Sequence, residues 1–314
     1  MTLISIFLLS RTEQVNKEAY EPIRKWTRYT NQRHFLLLLR KHMEDKTMCE
    51  AGYDLKLLLK NEENIITETK WGKSEADRCP YAWEKLYIPY FSQSGFWKEV
   101  DFSKAAKRGY VENGECKISG DVVFNFGKNK RYKRNQKFEY FAGLLERDFA
   151  EHNYLRYLQE LEDCNALNYS IYNLSFMPVT GGLNNFKGTN RLMNEENEQK
   201  LDRGDKFIYH INDFYENKSM EHIIFSNTHG RKSKTATAEE NTQKLKNVLL
   251  TFLDKLNDVN GYCKYMYLID DKKYIRKLVE EGQKLIVTGC DVVRYMKLAE
   301  EYWMIKYNKI NEMM

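Results

Sequence analysis

The stretch QKFEYFAGLLERDFAEHNYLRYLQELED, residues 136–163, decides the fold class. Its apolar residues recur every three or four positions, the spacing that places side chains on one face of a helix. This apolar stripe consists of Phe138, Phe141, Leu144, Leu145, Phe149, Leu155, Leu158 and Leu161. Helical spacing is also found at residues 17–46, 204–217, 243–257, 262–282 and 290–312. The pattern therefore predicts a mainly helical chain, with one long helix at 136–163.

Segments with strand character are fewer and shorter. Residues 118–126 and 169–177 are rich in β-branched and aromatic side chains. Residues 54–60 and 64–70 alternate apolar and polar side chains, which is typical of short strands. The sequence thus predicts an α+β fold that is predominantly helical with a small β-sheet.

The composition is that of a folded protein of one or two domains. The chain has 314 residues, of which 14% are aromatic, and this is enough bulky side chain for a core. Residues 79–97, CPYAWEKLYIPYFSQSGFW, predict an irregular, packed aromatic segment because they contain two prolines. We predict a boundary near residue 115, between an N-terminal helical and aromatic region (1–115) and an α+β domain (116–314).

The sequence favours a cytoplasmic protein that makes no membrane contact. No apolar run approaches the roughly 20 residues that a membrane helix needs. The opening MTLISIFLLS lacks a positively charged start and a small-residue cleavage site, so we interpret it as a buried strand or the start of a helix. The cysteines show no C-x-x-C pair, and we expect them to be reduced thiols. They are Cys49, Cys79, Cys116, Cys164, Cys263 and Cys290.

A basic run, KNKRYKRNQK at residues 128–137, is the first candidate site. The net charge of the whole chain is only +5, so this local density is more informative than the total. Its cations are Lys128, Lys130, Arg131, Lys133, Arg134 and Lys137. Such a run can neutralise a phosphate backbone, and Tyr132, Phe138 and Tyr140 could stack on bases. The alternative is a solvated basic loop before a helix, although positive charge opposes the helix dipole there.

Arg147 and His152 form the second candidate. The stretch RDFAEH, residues 147–152, resembles the R-x4-H motif of the HEPN ribonucleases. The resemblance implies RNA cleavage without a metal, in which His152 transfers a proton and Arg147 stabilises the phosphate charge. It also implies that two such helices face each other. His152 lies near the apolar stripe as well, and we expect a structural, core position for it.

Two further groups of residues have competing interpretations. The turn at residues 180–188, TGGLNNFKG, could present backbone N–H groups to a phosphate, or it could be a tight turn that needs glycine. Five aspartates could hold Mg²⁺, although Asp202 and Asp205 more simply cap the helix that follows them. The five are Asp202, Asp205, Asp213, Asp270 and Asp271. The spacing of His210, His222 and His229 suits no common metal site, so the sequence predicts no metal and no cofactor.

The C-terminal half also resembles a bacterial domain family of unknown function. The resemblance rests on YSIYNLSFMP, TGGLNNFKGTNR and DRGDKFIYHINDFYENKS, and it covers roughly residues 168–312. It implies a bacterial or phage origin and a shared architecture, but no catalytic residues.

Two functional classes remain open at this point. The first is a nucleic-acid-interacting protein, such as a phage-defence, abortive-infection or toxin-like effector, that acts on RNA or DNA through residues 128–152. The second is a non-enzymatic interaction or structural protein, in which residues 79–97 pack against a protein partner or a second copy of the chain.

Overall fold

The computed structural model describes residues 55–60, 83–91, 94–127, 136–179, 193–194, 199–200, 203–218 and 247–313. The chain divides into two compact units, Met1–Glu50 and Ala51–Met314, and every described residue belongs to the second. The helix predicted at 17–46 and the strand predicted at 64–70 lie outside the described residues. The boundary predicted near residue 115 falls within the second unit, between two strands that pair with each other.

The main sheet is antiparallel, with its strands in the order β1–β2–β3. These strands are β1 (Val111–Asn113), β2 (Cys116–Val122) and β3 (Leu174–Val179). All of β3 pairs with β2. Within the described sheet β3 is an edge strand, and this position tolerates Pro178, which cannot donate a backbone hydrogen bond. A separate two-stranded hairpin consists of β4 (Met193–Asn194) and β5 (Gln199–Lys200).

Helices make up most of the described chain, so the predicted α+β class with dominant helix is confirmed. They are α1 (Lys56–Leu59), α2 (Ile88–Phe91), α3 (Ala105–Arg108), α4 (Gln136–Asp148), α5 (Glu151–Ala166), α6 (Gly204–Asn217), α7 (247–254), α8 (Val259–Tyr262), α9 (Lys272–Gly282) and α10 (Gly289–Met313). Two π-helical segments, Trp83–Tyr87 and Cys263–Tyr267, adjoin α2 and α8. Of the helices described, none is both long and apolar enough to cross a membrane.

Three of the predicted elements are wrong. The helix predicted at 262–282 is interrupted, because Leu268 has a positive φ of 59° and the next helix, α9, begins only at Lys272. Residues 54–60 contain the helix α1 instead of a strand, because Leu and Lys are strong helix formers and the Leu run does not alternate. The single helix predicted at 136–163 is two helices, α4 and α5, because Ala150 has an extended backbone (φ −64°, ψ 154°). At this break the Asp148 carboxylate accepts a hydrogen bond from the backbone N–H of Gly289 (2.7 Å), a contact distant in sequence.

Aromatic side chains of the segment 83–97 surround Phe176 of β3. The ring centroids of Trp83, Tyr87, Phe91 and Trp97 lie 4.0 to 5.6 Å from the Phe176 centroid. All of these rings are buried. Aromatic pairs at such distances stabilise a fold by about 0.5–1.5 kcal/mol beyond the area they bury. The aromatic segment is therefore packed, as the sequence predicts, and it packs against this chain's own sheet.

Two asparagine side chains continue the hydrogen bonding of β2 beyond its last residue. The Asn173 side chain accepts from the Phe124 backbone N–H (3.0 Å) and donates to the Phe124 carbonyl (2.6 Å). The Asn168 side chain accepts from the Phe126 backbone N–H (3.0 Å). Both asparagines are buried. Because an unpaired buried backbone group is costly, these amides allow residues 123–126 to run into the core.

The extended residues 123–126 pack against the C-terminal helix. Phe124 and Phe126 place their rings 5.1 to 6.4 Å from those of Tyr295, Tyr302 and Trp303 on α10. All five side chains are buried. Helices α4 and α5 pack on α10 as well, so this helix is the common partner of the sheet extension and the α4–α5 pair.

A buried ion pair holds the start of α6 against the end of α9. Arg203 Nη2 lies 2.6 Å from Asp205 Oδ2, and the two side chains are 6% and 0% exposed. The Arg203 guanidinium also donates to the carbonyls of Glu281 (3.1 Å) and Lys284 (2.5 Å). A Cβ atom at Gly282 would lie 2.4 Å from the Asp205 carbonyl oxygen, so the approach of the two helices requires glycine.

We predict that Arg203→Met lowers the free energy of unfolding by about 3–5 kcal/mol, because Asp205 would stay buried without its partner. Urea unfolding of the purified chain measures this loss. Arg294→Met is the matched control, since Arg294 is 33% exposed and pairs with Glu281 and Asp291. The control should lose less than about 1 kcal/mol. Equal losses would contradict the importance assigned to the buried pair.

Candidate functional site

The basic run connects β2 to α4. Its members Lys128, Lys130, Arg131, Lys133 and Arg134 lie outside the described residues, and Lys137 is the second residue of α4. Upstream of the run, Phe126 is fully buried, and Gly127 has a positive φ of 92°, which favours glycine. Downstream, α4 packs on α10. The run is therefore attached at both ends to the packed core.

The sequence of this connection is strongly basic. The amino-terminal end of α4 carries the positive end of the helix dipole and backbone N–H groups that the helix itself leaves unpaired. Residues 122–138 contain no Asp or Glu, so no acidic residue within this stretch neutralises the cations. Many cations elsewhere in the described chain are paired with carboxylates. Such pairs are Lys277–Glu301, Lys284–Glu281, Lys309–Asp270, Arg294–Asp291 and Arg203–Asp205.

Arg147 lies in the last turn of α4 and has a structural environment. Its guanidinium donates to both carboxylate oxygens of Asp148 (2.7 and 2.8 Å) and to the Val287 carbonyl (2.8 Å). The hydrogen bond with Asp148 raises the pKa of Arg147, and Asp291 adds further negative charge nearby. Asp148 in turn accepts from the backbone N–H of Gly289, at the start of α10. These contacts tie the end of α4 to the chain that leads into α10.

His152 lies in the first turn of α5, and its side chain is exposed. The expectation of a core histidine is therefore wrong: the break at Ala150 turns His152 away from the apolar stripe that a continuous helix would have given it. Its Nδ1 lies 3.0 Å from the Asn153 side-chain oxygen. Arg147 and His152 belong to different helices, and among the described contacts none joins the two side chains.

The aspartates do not converge on a common point. Asp205 pairs with Arg203, Asp270 binds Lys309, and Asp271 caps α9 by accepting from two of its backbone N–H groups. Asp213 accepts from Asn217, and Asp202 lies outside the described residues. The proposed capping role of Asp205 is also wrong, because Arg203 occupies the N-cap position. In the described part of the chain, no group of three His, Cys, Asp or Glu residues is placed to hold a metal.

The remaining sequence candidates give no site that can be described. The turn at 180–188 and the residues His222 and His229 lie outside the described residues. His210 is buried on α6. Cys116, Cys164, Cys263 and Cys290 are free thiols. Burial raises the pKa of Cys116 to about 12 and the pKa of Cys164 and Cys263 well above the ordinary range, which makes these three poor nucleophiles.

No protein-family model, curated protein or solved structure matches the chain. The resemblances to the HEPN ribonucleases and to the bacterial domain family therefore stay predictions.

The sequence analysis missed a buried polar group around Lys306 of α10. The Lys306 amine is 0% exposed and donates to the Leu174 carbonyl (2.5 Å) and to Ser175 Oγ (3.3 Å). Ser175 Oγ also lies 2.5 Å from the Tyr302 hydroxyl. A signal was present in the sequence, because Lys306 continues the apolar series Ala299, Tyr302 and Ile310 at helical spacing.

We predict that Arg147→Ala lowers the free energy of unfolding by roughly 1 kcal/mol, because it removes the hydrogen bond to Val287 and one partner of Asp148. His152→Ala should change stability by less than about 0.5 kcal/mol, because that side chain is exposed. Urea unfolding of the two variants measures both effects. A large loss for His152→Ala, with little for Arg147→Ala, would contradict the roles described for these residues.

Proposed function

We propose that this chain binds a polyanion, RNA or DNA, through the basic run at 128–137. The single observation that carries the proposal is the concentration of cations in a connection without acidic residues, at the positive end of α4. Each cation that meets a phosphate releases a condensed counterion, which favours binding in dilute salt. Positive charge at this end of a helix opposes folding, and an anionic ligand would relieve that repulsion.

The contacts of Arg147 support binding of a nucleic acid without its cleavage. A guanidinium that already donates to Asp148 and to the Val287 carbonyl has fewer donors left for a phosphate. His152 is exposed, but it lies on a different helix and contacts Asn153. A phage-defence or toxin-like role through RNA cleavage thus stays a prediction, and it is secondary to binding.

The interaction-protein alternative loses four of the aromatic side chains of its proposed surface, residues 79–97. The aromatic side chains of Trp83, Tyr87, Phe91 and Trp97 are buried around Phe176, so they are not available to a partner or to a second copy of the chain. A protein partner would have to use other residues.

We predict that Arg131→Glu/Arg134→Glu weakens binding of a fluorescent oligonucleotide. The plot of the logarithm of the association constant against the logarithm of the salt concentration should also become less steep by about 2, about 1 for each lost phosphate contact. Fluorescence anisotropy at several salt concentrations measures both quantities. The matched control is Lys272→Glu/Arg276→Glu, which changes the net charge equally at two exposed residues of α9. Equal weakening by both variants would show that total charge, and not the basic run, determines affinity. Unchanged binding by the first variant would refute the proposal.

We further expect that RNA incubated with the protein stays intact, both with and without EDTA, since Arg147 is engaged in structural contacts. Gel analysis of a labelled RNA over several hours tests this expectation. Cleavage that persists in EDTA and disappears in His152→Ala would support the HEPN-like interpretation instead.

A further inference from the structure

The Lys306 amine is buried, and among the described residues its hydrogen-bond partners are neutral. Lys306, Ser175 and Tyr302 are all 0% exposed, so an external substrate does not reach them. The described hydrogen bonds of the amine go to the Leu174 carbonyl and to Ser175 Oγ, and the amine lies 5.5 Å from the centroid of the Tyr302 ring. An ammonium group that is removed from water and has only neutral partners is strongly destabilised relative to the neutral amine.

Groups from two further elements lie around Tyr302, the last member of this hydrogen-bond chain. In the π-helical segment Cys263–Tyr267, the Tyr267 carbonyl lies 3.4 Å from the Tyr302 hydroxyl; burial raises the pKa of Tyr302, and the Cys263 thiol raises it further. From α9, the Tyr274 hydroxyl donates to the Leu298 carbonyl (2.6 Å).

Two carboxylates lie on elements that form this hydrogen-bond chain or pair with it. Asp121 of β2 is opposite Ser175 in the strand ladder, and Glu300 of α10 is buried and raises the pKa of Cys164. Neither is a cause of the shift at Lys306: burial alone lowers the pKa of Lys306, to about 7.

The hydrogen-bond chain is compatible with two proton arrangements, one for each protonation state of Lys306. A neutral amine can accept from the Ser175 hydroxyl and donate to the Leu174 carbonyl, while the Tyr302 hydroxyl donates to Ser175. A protonated amine has no lone pair, so it donates to Ser175 Oγ, and the Ser175 hydroxyl then donates to Tyr302. The Tyr302 proton is left to donate to the Tyr267 carbonyl. The same heavy-atom positions thus serve both states.

We propose that Lys306 is a proton-dependent switch whose protonation reverses this hydrogen-bond chain and moves the Tyr302 hydrogen bond from Ser175 of β3 to the Tyr267 carbonyl. Acidification through neutral pH transfers one hydrogen bond from the sheet to the segment Cys263–Tyr267. The switch is independent of polyanion binding.

The switch also makes stability depend on pH. The folded-state pKa of Lys306 is lowered from the ordinary 10.5 to about 7. Between these two values the unfolded chain binds a proton that the folded chain does not, so the contribution of Lys306 to stability rises with pH across this window. Below about pH 7 both states carry the proton, and the cost of burying the ammonium is fully present.

The direct test is NMR titration of the full chain labelled with ¹³C at lysine Cε and at the tyrosine carbonyl. The Lys306 Cε resonance, identified by its loss in Lys306→Met, should titrate near pH 7, whereas exposed lysines titrate near pH 10.4. The Tyr267 carbonyl resonance should move with the same midpoint and should stay still in Tyr302→Phe. A Lys306 midpoint above pH 9 would overturn the proposal. A Tyr267 carbonyl chemical shift that does not change across the Lys306 titration would also overturn the proposal.

Thermal melting supplies a second readout. Lys306→Met should melt roughly 5 °C or more above the unmodified protein at pH 6, and this advantage should shrink by pH 9. Lys309→Met is the matched control, because Lys309 is on the same helix but is 33% exposed and pairs with Asp270. The melting temperature of the control should not exceed that of the unmodified protein by more at pH 6 than at pH 9. If Lys306→Met does not fold, Lys306→Arg supplies the assignment of the Lys306 resonance, and the NMR titration of the unmodified protein still decides.

Discussion

The fold depends on the side-chain amides of Asn173 and Asn168. They supply the hydrogen bonds that Phe124 and Phe126 would otherwise lack, and so they carry the chain past the end of β2 into the interior. There the two phenylalanines meet α10, which also packs against α4 and α5. The course of the chain just before the basic run is thus set by two neutral amides.

Charge is used in three different ways in this protein. On the described surface, many cations are paired with a carboxylate, as Lys284 is with Glu281, and such pairs add little stability. In the interior, Arg203 has a carboxylate partner, whereas the described hydrogen bonds of Lys306 go to neutral groups. The basic run differs from both, because residues 122–138 contain no Asp or Glu, although Glu139 follows in the first turn of α4. The two places where we propose function are this run and the buried amine of Lys306.

The sequence predictions were accurate where contacts between residues close in sequence determine the structure, and they failed where contacts distant in sequence determine it. The helix predicted at 204–217 is observed at the same bounds, because local spacing of apolar residues defines its buried face. The break at Ala150 was not predictable, since it accompanies contacts between Asp148 and Gly289, far along the chain. The pairing of Arg147 with Val287 has the same origin. Local charge density revealed the basic run, whereas the burial of Lys306 goes with contacts to Leu174 and Ser175, far along the chain, and was missed.

The attachment of the basic run at both ends limits its reach. Residues 128–135, fully extended, span at most roughly 28 Å, and both neighbouring segments belong to the packed core. This is less than the roughly 34 Å of one turn of duplex DNA. In the proposed complex with a nucleic acid, the run would contact one short stretch of the phosphate backbone, less than one turn of a duplex. The footprint on a nucleic acid should accordingly be set by how many copies of the protein bind side by side.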